Sequence, residues 1–194
     1  MNARPGLVML LRAAFQLVFS LVIWGGLLFL SAGTFAWPRG WIHLGLWVGM
    51  FAVNAPILLW LNRDVLAARL KPKRSTERFD TILLVTFVPA MLAIPVVAGF
   101  DAVRFGWTSM AFGAVYAGAV LLALGDAVIL WAMVVNPFSE KTVRIQTERG
   151  HHVITTGPYA IVRHPMYLGV VLMFLGIPLQ LGSFWTFVPI ALMI

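Results

Sequence analysis

The sequence predicts an all-α integral membrane protein with about five to six transmembrane helices. Of its 194 residues, 61% are hydrophobic and 11% are charged, whereas soluble domains average about 45–50% apolar and about 25% charged residues. The apolar residues form runs long enough to cross a bilayer as helices, which needs about 20 residues. Most of the lysines and arginines stand between these runs. We therefore interpret residues 1–194 as a single membrane domain.

The predicted spans follow the apolar runs in chain order. We place the first four at residues 7–34, 41–61, 81–100 and 107–135. Pro178 and the pair Gly182 and Ser183 interrupt the last run, which predicts a helix over 167–179 and an incomplete one over 183–194. A cleavable signal peptide is an alternative for the first run, but that run exceeds the about 7–15 apolar residues of a signal-peptide core.

The basic residues predict the orientation of these spans. Except for Arg39 and Arg104, every Lys and Arg lies near the start of the chain or in the connections after the second and fourth runs. The positive-inside rule places the N-terminus and both connections in the cytoplasm. Membrane insertion thus explains the net charge of +7, and we expect no nucleic-acid partner. Without cysteine, the chain has neither a disulfide nor a thiolate site.

The connection over 136–166 carries the residues most typical of a binding site. Pro165 suits the first position of a helix and keeps His164 out of helical geometry. His164 is therefore expected beside the free amides of a helix start, where carboxylates and phosphates bind. Arg163 offers a guanidinium fork to the same anions. Tyr159 and Tyr167 offer flat faces to a heterocycle or a cation.

Other features of this region have more than one interpretation. Residues 143–155 alternate in a way that predicts a short hairpin or an irregular clamp, and Gly157 permits a close approach of the backbone to a ligand. The small residues Gly169 and Gly176 predict close contact with a neighbouring helix. The alternative is that Arg163 and His164 only anchor a span at the lipid head groups.

Ionisable residues elsewhere are less informative. Asp126 lies within the fourth span, where it serves either a function or helix packing. His43 stands near three tryptophans, so we expect it at the membrane interface. The adjacent His151 and His152 lack a suitable third ligand, and we predict no metal site.

The segment QTERGHHVITTGPYAIVRHPMYLG resembles the cofactor-binding region of the isoprenylcysteine carboxyl methyltransferase family. Its members are integral membrane enzymes that use S-adenosylmethionine, and the stretch 136–185 is similar to bacterial members. The resemblance implies a cytoplasmic cofactor-binding loop over 136–166 in a bacterial inner membrane. It implies that the cofactor is lined by Gln146, His151, His152, Val153, Ile154, Tyr159, His164, Pro165, Met166 and Tyr167. The residue pattern adds Gly157 and Arg163 to this set.

The resemblance also implies the reaction. We expect carboxyl O-methylation of an isoprenylcysteine-like or other lipophilic substrate, such as a small acid, an amine or a phospholipid, reached from the membrane lipids. No catalytic residue is predicted, because methyl transfer to an ionised carboxylate needs alignment and exclusion of water rather than a base. Family members carry a further helix with an arginine and a Glu-Glu motif. The sequence ends at Ile194 without it, so we expect a C-terminally truncated chain with little activity alone.

Two alternatives stay open at this point. An NADPH-dependent membrane reductase of the sterol-reductase type carries a pattern related to Arg-His-Pro-x-Tyr, and Arg163 would then hold phosphates. A non-enzymatic membrane scaffold is the other, for which Asp126 would matter more than the loop.

Overall fold

A computed structural model of the chain describes residues 4–70, 78–139 and 152–193. Every regular element in these ranges is helical, which confirms the all-α prediction. The helices are α1 (Arg4–Ala32), α2 (Pro38–Leu61), α3 (Arg63–Leu70), α4 (Arg78–Gly99), α5 (Ala114–Val135), α6 (Pro165–Leu181) and α7 (Phe187–Ala191). A π-helical segment, Phe100–Arg104, continues α4, and a short 3-10 helix, Gly157–Ala160, precedes α6.

Four helical stretches in the described part of the chain are long and apolar enough to cross a bilayer. They are Gly6–Ala32, Pro38–Leu61, Phe87–Arg104 and Ala114–Val135. Helix α6 is equally apolar but has 17 residues, and α7 has only five. The count of five to six spans is therefore approximate.

Local contacts explain where two helices begin and end. Helix α5 begins at Ala114 because residues 107–113, although mostly apolar, form a loop that Arg39 and Asp101 hold by hydrogen bonds. Helix α6 runs through Pro178 to Leu181 and ends where Gly182 adopts a left-handed conformation at φ 77°. A left-handed glycine of this kind commonly ends a helix.

Helices α5 and α6 form the tightest contact of the bundle, and glycines make it possible. A Cβ atom on Gly118 would lie 2.6 Å from the carbonyl oxygen of Gly176, and one on Gly125 would lie 2.5 Å from that of Gly169. The two backbones therefore touch, as small residues permit in membrane helices. The contact predicted from Gly169 and Gly176 is thus present.

The end of the bundle away from the loop over 136–166 is closed by two buried charged side chains. The guanidinium of Arg39 donates to the carbonyl oxygens of Met110 (2.6 Å), Ala111 (2.9 Å) and Leu179 (3.2 Å). Oδ2 of Asp101, which is fully buried, accepts hydrogen bonds from Ser183 and Thr108. These bonds join the connections that precede α5 and follow α6.

His43 lies inside the bundle, which corrects its expected place at the membrane interface. Its ring is completely buried. The indole N–H of Trp47 donates to Nε2 of His43 (3.1 Å), so Nδ1 carries the proton and donates to Oε1 of Gln180 (2.6 Å). The nearby tryptophans suggested an interfacial belt, but a partner on α6 decides the position of the ring.

Candidate functional site

The segment before α6 packs against the end of α5 that the distribution of basic residues predicts to face the cytoplasm. Gly157 has φ 59°, and a Cβ atom there would lie 2.9 Å from Cγ2 of Val135 and 3.2 Å from Nε1 of Trp131. Only glycine combines this left-handed conformation with so close an approach. Two residues further along the chain, the hydroxyl of Tyr159 accepts a hydrogen bond from Nδ2 of Asn136 (3.0 Å). The turn is therefore fixed to the residue that ends α5.

The start of α6 has the geometry that Pro165 predicts. His164 is the residue before the helix, with φ −130° and ψ 68°, and Pro165 occupies the first turn. The amides of Tyr167 and Leu168 donate to the carbonyl oxygen of His164 (3.1 and 3.2 Å), and no side chain caps the helix. The rings of His164 and Tyr167 lie 5.6 Å apart at an interplanar angle of 35°. Two exposed rings thus flank an uncapped helix start.

Arg69 on α3 ties both sides of the loop together, a contact that the sequence interpretation missed. Its Nε donates to the carbonyl oxygen of Ser139 (3.2 Å), and its Nη2 donates to Oγ of Ser139 (3.1 Å). The same Nη2 lies 3.9 Å from the sulfur of Met166, which also accepts a hydrogen bond from Ser139 (3.3 Å). Arg69 therefore positions the end of α5 relative to the start of α6.

The environment of Arg69 fits this positioning role. Burial lowers the pKa of its guanidinium, and the electrostatic influence of Tyr159 opposes that effect. An arginine keeps its charge in such surroundings, so Arg69 places a permanent positive charge next to Ser139 and Met166. Asn62, at the end of α2, supports the same region by donating to the carbonyl oxygens of Met133 (2.9 Å) and Val134 (3.2 Å).

A polar groove opens beside this region, between α1, α2, α3 and α5. Nδ2 of Asn54 donates to Oδ1 of Asp126 (2.8 Å) on its wall. The groove has a volume of about 330 Å³. Its lining includes Gln16, Ser20, Asn54, Arg69 and Asp126 together with apolar side chains. Gly125 touches Gly169, which lies one turn into α6. The neighbouring Asp126 is therefore at about the level of the first turn of α6.

An apolar chamber of about 320 Å³ adjoins the polar groove. Its walls come from α1, α2, α4 and α6, and they are almost entirely hydrocarbon and aromatic. Leu17, Ser20 and Trp47 line both spaces. The chamber and the groove are therefore neighbours along one face of α1.

The structure brings together only part of the predicted cofactor set. Gly157, Tyr159, His164, Pro165, Met166 and Tyr167 lie at or beside the junction of α5 and α6. His152 reaches this junction through an edge-to-face contact with Phe138, whose ring centroid is 5.3 Å away. Val153 is 84% exposed, Ile154 is half-buried and Arg163 is exposed.

The remaining predictions for this loop fall outside the described ranges. Gln146 and His151 belong there, and so does most of the expected hairpin over 143–155. Residues 152–155 are described, and they form neither a helix nor a strand. Across the described ranges, no three His, Asp or Glu side chains group as metal ligands.

Comparison with known proteins adds one match. Residues 114–194 match the family described as phospholipid methyltransferase, and the match contains α5, α6 and the loop between them. Neither the curated proteins nor the solved structures yield a match. Together with the long apolar helices, the match identifies an integral membrane protein and supports a membrane methyltransferase in general. The match fits the resemblance seen in the sequence, because the family whose model matches residues 114–194 includes the isoprenylcysteine carboxyl methyltransferases.

Proposed function

We propose that this protein is an S-adenosylmethionine-dependent methyltransferase of a bacterial inner membrane, acting on a lipophilic substrate. The observation that carries the proposal is the uncapped start of α6 between the rings of His164 and Tyr167. It lies within the region that matches the methyltransferase family. Arg69 and Asn136 brace the segment, so it is a built feature rather than a plain connection.

The residues at this junction suit the three chemical parts of the cofactor. The positive end of the α6 helix dipole and the Arg163 guanidinium suit its carboxylate. The faces of His164 and Tyr167 suit its sulfonium cation or its adenine. We assign His152, Val153, Ile154, Gly157, Tyr159, Pro165 and Met166 to the same pocket, with Gln146 and His151 completing it.

The cofactor supplies an activated methyl group when it is bound. The protein's own contribution is to align the substrate with that group and to keep water away. A substrate carboxylate is already ionised at neutral pH, so carboxyl O-methylation of an isoprenylcysteine-like compound would need no base from the chain. This acceptor follows from the sequence resemblance, and the lipophilic substrate would enter from the side of the bilayer.

Binding of S-adenosylhomocysteine to the protein in lipid nanodiscs, measured by calorimetry, tests the proposal. We expect saturable binding, and we expect Tyr167→Ala to weaken it about tenfold, since stacking of a base on an aromatic ring contributes about 1–3 kcal/mol. Tyr116→Ala is the matched control, because Tyr116 is 69% exposed in the first turn of α5 whereas Tyr167 is 66% exposed in that of α6.

Two results would contradict the methyltransferase proposal. One is the absence of binding by the folded wild-type protein. The other is saturable binding of NADPH without binding of S-adenosylhomocysteine, which would favour a membrane reductase. Equal effects of the two tyrosine substitutions would place the cofactor elsewhere.

A further inference from the structure

One arginine inside the membrane-spanning helices has no partner among the described residues. In the described stretches that are long and apolar enough to cross a bilayer, the arginines are Arg12, Arg39 and Arg104. Arg39 donates to three carbonyl oxygens, and the guanidinium of Arg104 lies 5.6 Å from the ring centroid of Phe100. Arg12 is exposed, and no described residue forms a hydrogen bond or an ion pair with it. A charge within a span is costly unless it is paired, so Arg12 needs a partner that these residues do not supply.

The position of Arg12 along α1 brings its guanidinium to the level of the lipid phosphates. Arg12 follows Gly6, where the apolar stretch begins, by about 9 Å along the helix axis. Side chains on a helix are tilted toward its N-terminus, and arginine can extend its charged end along apolar surface to the interface. The orientation predicted from the basic residues places this end of α1 in the cytoplasmic leaflet.

A groove between α1 and α3 surrounds this charge with apolar side chains. It has a volume of about 570 Å³, and Leu70 forms its wall on α3. Phe15 on the α1 wall is 71% exposed and stacks on Phe19, which lies one turn deeper. The apolar surface therefore continues from the groove toward the centre of the bilayer. The residues of α1 that line the groove are three or four positions apart and so share one face of the helix: Val8, Leu11, Arg12, Phe15 and Gln16.

The groove suits a phosphate ester attached to hydrocarbon chains. A guanidinium can pair with a phosphate through two parallel N–H donors, and the side-chain amide of Gln16 can donate a further hydrogen bond. No acidic side chain is among the described residues that line the groove, so it offers no partner to the ammonium of a zwitterionic head group. The chemistry therefore favours a phospholipid with a net negative charge.

We propose that α1 and α3 bind one anionic phospholipid of the cytoplasmic leaflet, with its phosphate at Arg12 and Gln16 and its acyl chains along Phe15 and Phe19. The described lining of the groove includes no residue of α5 or α6. This lipid is therefore separate from the proposed cofactor site and is not the methyl acceptor. It contacts both α1 and α3 and so stabilises their packing. The inference goes beyond the proposed function and does not depend on it.

Native mass spectrometry of the delipidated protein, titrated with defined lipids in detergent, tests the proposal. Phosphatidylglycerol carries a phosphate without an ammonium, whereas phosphatidylcholine carries both. We expect one phosphatidylglycerol to bind more tightly than phosphatidylcholine, and we expect Arg12→Gln to weaken its binding about tenfold through the loss of a charge-assisted hydrogen bond. Arg63→Gln is the matched control. Arg63 is exposed at the start of α3 and lies outside the groove lining, so this change removes the same charge from the same side of the protein.

Three results would overturn the lipid proposal. One is equal affinity of the wild-type protein for the two lipids, a comparison that does not depend on the folding of a variant. The second is an equal effect of Arg12→Gln and Arg63→Gln, which would indicate a general attraction of the basic side to anions. The third is displacement of the lipid by equimolar glycerophosphoglycerol, its soluble head group, which would indicate a site for free phosphate esters. Binding of S-adenosylhomocysteine is measured separately and tests only the proposed function.

Discussion

At the scale of single residues, the site depends on local backbone restraints and on side chains that come from far away in the sequence. Pro165 sets the conformation of His164 through steric contact with its immediate neighbour, which is why this feature could be predicted. Arg69 and Ser139 act on Met166 from another helix and another connection. No local pattern marks such a triple contact, so sequence reasoning counted Arg69 only as one of the basic residues that orient the chain.

Gly157 provides a prediction at this scale. Gly157→Ala forces an L side chain into φ 59° and brings its Cβ within 2.9 Å of Val135. The left-handed conformation alone costs about 1–2 kcal/mol, and the contact with Val135 adds to it. We expect a lower midpoint of thermal unfolding and weaker binding of S-adenosylhomocysteine.

Gly106→Ala is the control for this substitution. Gly106 has φ 61°, but its Cβ would meet nothing within 4 Å. It therefore reports the conformational cost without the contact, and we expect it to leave cofactor binding unchanged. Equal loss of binding in both variants would show that the close packing of Gly157 against α5 does not affect cofactor binding.

At the scale of the elements, the contact of α5 with α6 determines where the site forms. Residues after the end of α5 and at the start of α6 supply most of the predicted cofactor set, so the register of these helices decides which side chains meet. Gly169 and Gly176 indicated a close helix neighbour from the sequence. Their partners, Gly118 and Gly125, became evident only once the two helices were seen side by side.

Gly125→Ala tests the importance of this contact. Its Cβ would lie 2.5 Å from the carbonyl oxygen of Gly169 and 2.7 Å from the side chain of Met173, so α5 and α6 must separate. Overpacking of this kind typically costs about 1–3 kcal/mol. We expect lower thermal stability together with reduced binding of S-adenosylhomocysteine, because the loop is attached to both helices.

Gly49→Ala is the comparison within a helix that has no such contact. Nothing lies within 4 Å of a Cβ at Gly49 in the middle of α2, and alanine exceeds glycine in helix propensity by about 1 kcal/mol. This variant should be as stable as the wild type or slightly more so. A Gly125→Ala protein that matches it in stability would refute the importance of the close approach.

At the scale of the whole molecule, the lipid environment explains why the fold class was predictable. A bilayer requires every backbone polar group to be paired within the protein, which for an apolar chain of this kind means helices. The loop at residues 107–113 escaped prediction because its residues are mostly apolar. Buried polar partners, Arg39 and Asp101, hold it out of helical form. The resemblance to a methyltransferase family followed from a local motif, whereas no motif describes the cavities between the helices.

The orientation of the molecule is also testable. The chain contains no cysteine, so single cysteines can be introduced and labelled without background. We expect Val153→Cys, at a position 84% exposed, to react with a membrane-impermeant maleimide only in inverted vesicles. Phe184→Cys, at a position 58% exposed near the other end of α6, should react only in right-side-out cells. The opposite pattern would reverse the topology inferred from the positive charges.

The bonds of Arg39 have a consequence for how the bundle can deform. Because this one side chain fastens the loop before α5 to the last turn of α6, these two segments are fixed to each other at the end of the bundle opposite the start of α6. A molecule that enters between the helices would therefore separate them at the opposite end. The gap would widen beside Arg69, next to the proposed cofactor site.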